Sequence, residues 1–167
     1  MRDELKTIFS NVNEWLKFAE AKNAGITAFN AAIIIGLSSA FPDIQNYINK
    51  YAFLGGIFIL GISILLAFNS QFPQLDNEEL ASSKIEKPNL YFFGNLSKLT
   101  TTDFVLELQK RESGFVASQF DLDIINQIII NSKIAVFKYN NFKNALITSI
   151  VGISIIVISI LIKTLCP

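Results

Sequence analysis

Charged side chains divide this chain into apolar runs. No charge lies between Lys22 and Asp43 (NAGITAFNAAIIIGLSSAFP), between Lys50 and Asp76 (YAFLGGIFILGISILLAFNSQFPQL), or between Lys143 and Lys163 (NALITSIVGISIIVISILI). Each run reaches the roughly 18–25 residues that a helix needs to cross a ~30 Å hydrocarbon core. Burying three such helices in a soluble fold takes more polar sequence than the remainder of the chain supplies. The pattern predicts three transmembrane helices, at 24–42, 51–72 and 144–162. A signal peptide fits the first run poorly, because its charged leader is over-long and cleavage after Ala40 would leave Phe41–Pro42 at the new terminus.

Outside the spans the periodicity is helical as well. Leu5, Ile8, Phe9, Val12, Trp15, Leu16 and Ala19 recur at three- and four-residue steps, predicting an amphipathic helix over 3–22. No Pro or Gly intervenes before Gly25, so this helix continues into the membrane, with Trp15 and Phe18 near headgroup level. Asp76–Pro88 is acidic, holds Ser82 and Ser83, and reads as a linker. Thr102 and Asp103 are placed to cap a short helix over Phe104, Val105 and Leu108, which Gly114 ends. From Phe120 the helical pattern meets no breaker until Gly152, predicting one helix from about Asp121 to Leu161. At 1.5 Å per residue it is about 60 Å long.

The fold class is therefore an all-α membrane protein: three transmembrane helices with an α-helical cytoplasmic stalk, the last helix continuous from cytoplasm into bilayer. The expected segments are an N-terminal helix (1–23), a span (24–42), an external loop (43–50), a span (51–72), a cytoplasmic helical module (73–143), a span (144–162) and an external tail (163–167).

Lys and Arg set the orientation. Four precede the first span (Arg2, Lys6, Lys17, Lys22), eight lie between the second and third, and the two remaining segments hold one each, Lys50 and Lys163. The positive-inside rule places the N-terminus and the long middle segment in the cytoplasm.

Composition narrows the chemistry. The 167 residues hold 14 Lys/Arg and 14 Asp/Glu, so there is no basic field for nucleic acid, and the length suits one compact unit. Histidine is absent, which removes Ser-His-Asp and Cys-His catalysis and His-based metal sites. The single cysteine, Cys166, provides neither a disulfide nor a CxxC pair. There is no phosphate-loop or dinucleotide glycine pattern, no HExxH, and no carboxylate pair on a recognisable scaffold. The expectation is a protein without catalytic, cofactor or metal residues.

Two polar stripes stand out. Glu20, Asn23, Thr27 and Asn30 share one face of the first helix and run from the membrane boundary into the bilayer. Polar groups in hydrocarbon need partners. The stripe is read either as a pore lining with Glu20 at its mouth, favouring cations, or as interhelical glue centred on Asn30. The second stripe is Asp123, Gln127, Asn131 and Lys138 on the long helix. Small residues at packing intervals (Gly56, Ser63, Ala67; Thr148, Gly152, Ser159) suit close helix contacts.

Three stretches, WLKFAEAKNAGITAFNAA (15–32), NLYFFGNLSKL (89–99) and DLDIINQIIINSKIAVFKYNNFKNAL (121–146), resemble the Pycsar effector transmembrane family of bacterial anti-phage defence. The resemblance is carried by Trp15, Glu20, Lys22, Asn23 and Asn30, by Phe93 and Gly94, and by Gln127, Asn131, Ser132 and Lys138. It implies a multi-pass bacterial inner-membrane protein that permeabilises or depolarises the membrane. It also implies control by the nucleotide product of a neighbouring nucleotidyltransferase or cyclase. The appended cyclic-nucleotide-binding domain that the resemblance would include is not recognised here, so the expectation is a ligand on the cytoplasmic module or dependence on a partner. Membrane effectors of Hailong-type systems are similar in size and role; there a short single-stranded DNA holds the channel closed.

On that resemblance, Lys98, Lys110, Arg111, Lys133 and Lys138 are candidate phosphate partners, Tyr91 a candidate stacking surface, and Gln127 and Asn131 candidate polar contacts. The function expected is a homo-oligomeric ion channel or pore opened or closed by a cyclic nucleotide or short oligonucleotide. Two rivals are a non-conducting membrane anchor that recruits a cytoplasmic partner and a small ligand-independent membrane toxin. The topology has a direct test. A membrane-impermeant thiol reagent should label Cys166 on intact spheroplasts, and labelling only after lysis would overturn three spans with the N-terminus inside.

Overall fold

The computed structural model describes residues 2–72 and 87–165. It contains α1 (Arg2–Ile44), α2 (Lys50–Asn69), α3 (Phe93–Leu96), α4 (Thr101–Arg111) and α5 (Gln119–Leu165), with no strand among the described residues. The three long helices are the ones long and apolar enough to cross a membrane, as the charge-free runs predict. The acidic linker and Cys166 lie outside the described residues, apart from Lys87 and Pro88 at the linker's end.

Where length suggested a single body, the chain forms two compact units. Among the described residues, 2–19 and 87–139 make unit 1, and 20–72 and 140–165 make unit 2. Both α1 and α5 contribute to each.

Unit 1 gives the expected stalk a core of its own. The amphipathic stripe of α1 buries Leu5, Ile8 and Val12 against Leu90, Leu96 and Leu99, against Phe104 and Leu108 of α4, and against Ile125, Ile128 and Ile129 of α5. Two reciprocal caps set its helix starts. Thr100 Oγ1 accepts from the Asp103 amide while Asp103 Oδ2 accepts from the Thr100 amide, each at 3.1 Å. The cap is thus Thr100 and not Thr102, because the capping box sets its carboxylate three residues after the hydroxyl. Ser118 and Asp121 repeat the device, with Asp121 Oδ2 accepting from the Ser118 amide at 2.9 Å, so α5 begins two residues earlier than expected. Hydrogen bonds from Ser118, aided by Arg2 at 3.4 Å and opposed by burial, hold the buried Asp121 carboxyl below its ordinary pKa.

Unit 2 packs α2 antiparallel to α1 and α5. One apolar layer joins Ile48, Phe53, Leu60 and Ile156, with Ile33, Ile34 and Phe41 against it; a smaller one joins Ile26, Ala67 and Ala145. The outer faces stay apolar: Ile35, Phe58, Leu65, Ile150 and Ile158 are all exposed. Water would not tolerate so continuous an apolar surface, whereas lipid does. Asn49 caps α2 by accepting from the Tyr51 amide at 2.9 Å.

At the closest approach of α2 and α5, a Cβ on Gly56 would overlap the Ile156 side chain and lie 3.0 Å from the Gly152 carbonyl oxygen. A Cβ on Gly152 would meet the Gly56 carbonyl oxygen at 3.1 Å. The adjacent Gly55 has nothing within 4 Å. Gly56→Leu should therefore lower unfolding stability in detergent by about 1–3 kcal/mol through overpacking, while Gly55→Ala should leave it within about 0.5 kcal/mol. Equal effects would place the close approach elsewhere.

Candidate functional site

The first polar stripe does not present a single face. Glu20 is exposed, Thr27 is half-buried and donates to the Asn23 carbonyl oxygen at 2.9 Å, and Asn23 and Asn30 are fully buried. Asn30, at 0% exposure, sits at a junction of all three helices of unit 2. Its Nδ2 donates to Ser63 Oγ at 2.7 Å, its Oδ1 accepts from Ser149 Oγ at 2.6 Å, and Ser63 Oγ donates to the Ala145 carbonyl at 2.6 Å. The junction lies between the two apolar layers on every helix. Within one chain Asn30 is buried where the three helices meet.

Ser149 is the member that sequence reasoning missed, having favoured its neighbour Thr148. Thr148 instead donates to the Asn144 carbonyl of its own helix, at 2.8 Å. The available signal was the spacing of Ala145, Ser149, Gly152 and Ile156, one helix face with small residues opposite a buried carboxamide.

All eight nucleotide candidates fall in unit 1. Gln127 Nε2 donates to Asn131 Oδ1 at 2.8 Å, and Asn131 Nδ2 donates to Asn13 Oδ1 at 2.7 Å, a relay from α5 to α1. Asn13 had no place in the sequence reading, since it stands beside the apolar stripe and nothing local marks it. Lys138 is buried, at 6% exposure, and Lys133 is half-buried. Lys98 and Tyr91 are exposed, and the Tyr91 carbonyl accepts from Asn11 at 3.0 Å. Lys110 and Arg111 stand apart from the relay: Lys110 pairs with Glu107 at 2.5 Å, and Arg111 Nη2 donates to the Pro88 carbonyl at 2.8 Å. Of the second stripe, Asp123 is exposed and accepts from Gln119 at 3.2 Å, so only its later members reach the packed face.

The aromatic motifs, far apart in sequence, meet in space. Phe93 stacks on Tyr139 with centroids 5.2 Å apart, and Trp15 lies 5.7 Å from Phe93. Burial raises the Tyr139 pKa above the ordinary phenol value. Gly94 is needed beside this cluster because the Phe92 ring folds over it: a Cβ there would lie 2.6 Å from the ring. Trp15 stays 39% exposed.

The polar junction makes a measurable claim. A double-mutant cycle of Asn30→Ala and Ser149→Ala, read by unfolding in detergent, should give a coupling of about 0.6–1.7 kcal/mol, from the average to the maximum of membrane hydrogen bonds. Strict additivity would deny the contact.

Comparison with known proteins places this arrangement in a family. The Pycsar effector protein SaPycTM of Staphylococcus aureus is 25% identical over 172 positions, spanning 99% of this chain and 98% of that protein. No solved structure matches the chain. The Pycsar effector protein domain matches residues 4–164, nearly the whole length. The chain belongs to the Pycsar effector transmembrane family and is a membrane effector of a cyclic-nucleotide anti-phage system.

Proposed function

We propose that this effector is an inner-membrane protein, with the N-terminus and unit 1 in the cytoplasm, that assembles as a homo-oligomer into a nucleotide-controlled ion channel or pore. Its ligand is a cyclic nucleotide made by a partner nucleotidyltransferase or cyclase; a short oligonucleotide is the other source of the same phosphates and bases. The observation that carries the reading is the use of α1 and α5 in both units. A ligand that changes how unit 1 holds these helices acts on the same two elements that carry Asn30 and Ser149. Lys133 and Lys138 are on α5 itself, in its last turns before unit 2 begins. Phosphate binding there supplies charge-assisted bonds where the helix passes from one unit to the other.

Ions cross only if water reaches the polar junction. In one chain Asn30 bonds internally, so on this reading a path has to form between copies or by parting Asn30 from Ser149. Glu20, exposed at the start of unit 2, is then placed to ring a mouth and favour cations. A non-conducting anchor is favoured by one observation, the internal pairing of both ends of the Asn30 carboxamide.

Cells that produce the protein together with its activating nucleotide should lose membrane potential, read with a potential-sensitive dye. Death of cells that remain polarised would refute the channel and leave the anchor. Lys133→Glu should weaken nucleotide binding at least about tenfold, or ~1.4 kcal/mol. Lys138→Gln tests the buried lysine without placing a carboxylate there. Unchanged affinity in both variants would move the site off α5.

A further inference from the structure

We propose that unit 2 holds one anionic glycerophospholipid in the groove between the start of α2 and the end of α5. The proposal rests on unit 2 lying in the bilayer. The groove encloses about 520 Å³. That volume falls within the roughly 300–1,000 Å³ range of small-molecule pockets. Ala52, Ile158 and Ile162 form its walls, and Asn49, Ser159 and Lys163 form its polar end.

Three observations assign the ligand's chemistry. First, the polar end is prearranged to donate. Ser159 Oγ accepts from the Asn49 amide at 3.1 Å, and the Asn49 side-chain oxygen is spent on the α2 cap, leaving its amino group as what it can offer. Lys163 Nζ reaches the Ile48 carbonyl at 3.3 Å. An ammonium so placed keeps two further N–H donors and has no acceptor. Asp43, the acidic residue at the neighbouring end of α1, does not line the groove. Second, the depth fits a headgroup. Tyr47 and Tyr51, which flank Asn49, are 57% and 83% exposed. Tyrosines in such positions mark the membrane–water boundary. A phosphate beside Lys163 then places an acyl chain along the isoleucine wall. Third, the rival occupants leave something unmet. A span from a second copy brings no anion, because residues 24–42, 51–72 and 144–162 carry no charge. Free phosphate leaves the apolar walls wet.

The test uses full-length protein stripped of lipid in detergent, titrated with dioleoylphosphatidylglycerol or dioleoylphosphatidylcholine and read by native mass spectrometry. One phosphatidylglycerol per chain should bind about fivefold tighter than phosphatidylcholine, as expected for one lysine beside a net-anionic headgroup rather than a zwitterionic one. Lys163→Ala should abolish the preference, Lys50→Ala should leave it although it removes a charge from the same end, and Ile158→Trp should weaken both lipids. Inorganic phosphate should not compete. Equal binding of the two lipids, equal loss in both lysine variants, or competition by phosphate overturns the proposal. So does an Ile158→Trp protein that binds lipid normally but changes oligomer size, which would give the groove to a second copy. A chain that fails to sediment with membranes defeats the bilayer reading instead.

Discussion

In hydrocarbon a polar group has no water to fall back on, and that constraint organises unit 2 around the Asn30 carboxamide. Asn30 can be buried in the bilayer because Ser63 accepts from it and Ser149 donates to it, with Ser63 in turn donating to the Ala145 carbonyl. The bonds touch α1, α2 and α5 at once, so they fix rotation and register together. A turn of any one helix by a single residue swings its member of the set about 100° away and leaves a buried polar atom alone, at a cost of about 1–3 kcal/mol. The meeting of Gly56 with Gly152 depends on that register, since only glycine allows backbones this near. Individually such bonds contribute little; their value is in the alternatives they exclude.

The same two helices meet a different solvent in unit 1. There α1 is amphipathic, and water drives Leu5, Ile8 and Val12 onto Phe104, Leu108 and the isoleucines of α5. In unit 2 apolar side chains gain no hydrophobic free energy by leaving lipid, so close van der Waals packing, eased by small residues, and hydrogen bonds hold the helices together. One continuous helix thus switches from a stripe of large apolar residues to a face of small and polar ones. The aromatic group of Trp15, Phe93 and Tyr139 draws on the last turns before that change in both helices.

This division explains what the sequence disclosed. The spans were legible because absence of charge over so long a run has one physical meaning, and the α1 stripe because water enforces its period. The starts of α4 and α5 were each misplaced by two residues, although both Thr100–Asp103 and Ser118–Asp121 carry the capping spacing; hydrophobic periodicity was followed where cap chemistry had the finer resolution. Asn13 and the lipid groove were not legible, and Ser149 was marked only by its place on a face of small residues. Each depends on which residue of another helix stands opposite, and no local pattern encodes a partner 118 or 119 positions away. Asn30 was conspicuous for the same reason that its partner was hidden: a polar residue in an apolar run stands out, whereas a serine on a face of small ones does not.

On the proposed function, the energetics of unit 2 also indicate where a path would open. Switching almost completely between two states takes a ligand preference of about 5.5 kcal/mol. The hydrogen bonds of Asn30, at about 0.6 kcal/mol each by the membrane average, absorb only part of that. Apolar layers on either side of the junction set the rest, and they are unequal. On one side stand Ile48, Phe53, Leu60 and Ile156, reinforced by Ile33, Ile34, Leu37, Phe41 and four further partly buried residues. On the other stand Ile26, Ala67 and Ala145, two of them alanines, with Leu66 and Phe142. The thin side gives up less packing when the helices part, and it is the side whose chain leads through Glu20 and Asn140 into unit 1. If bound nucleotide displaced α1 and α5 as proposed, it would meet least resistance in the alanine layer, and the isoleucine layer would be the last seal to yield.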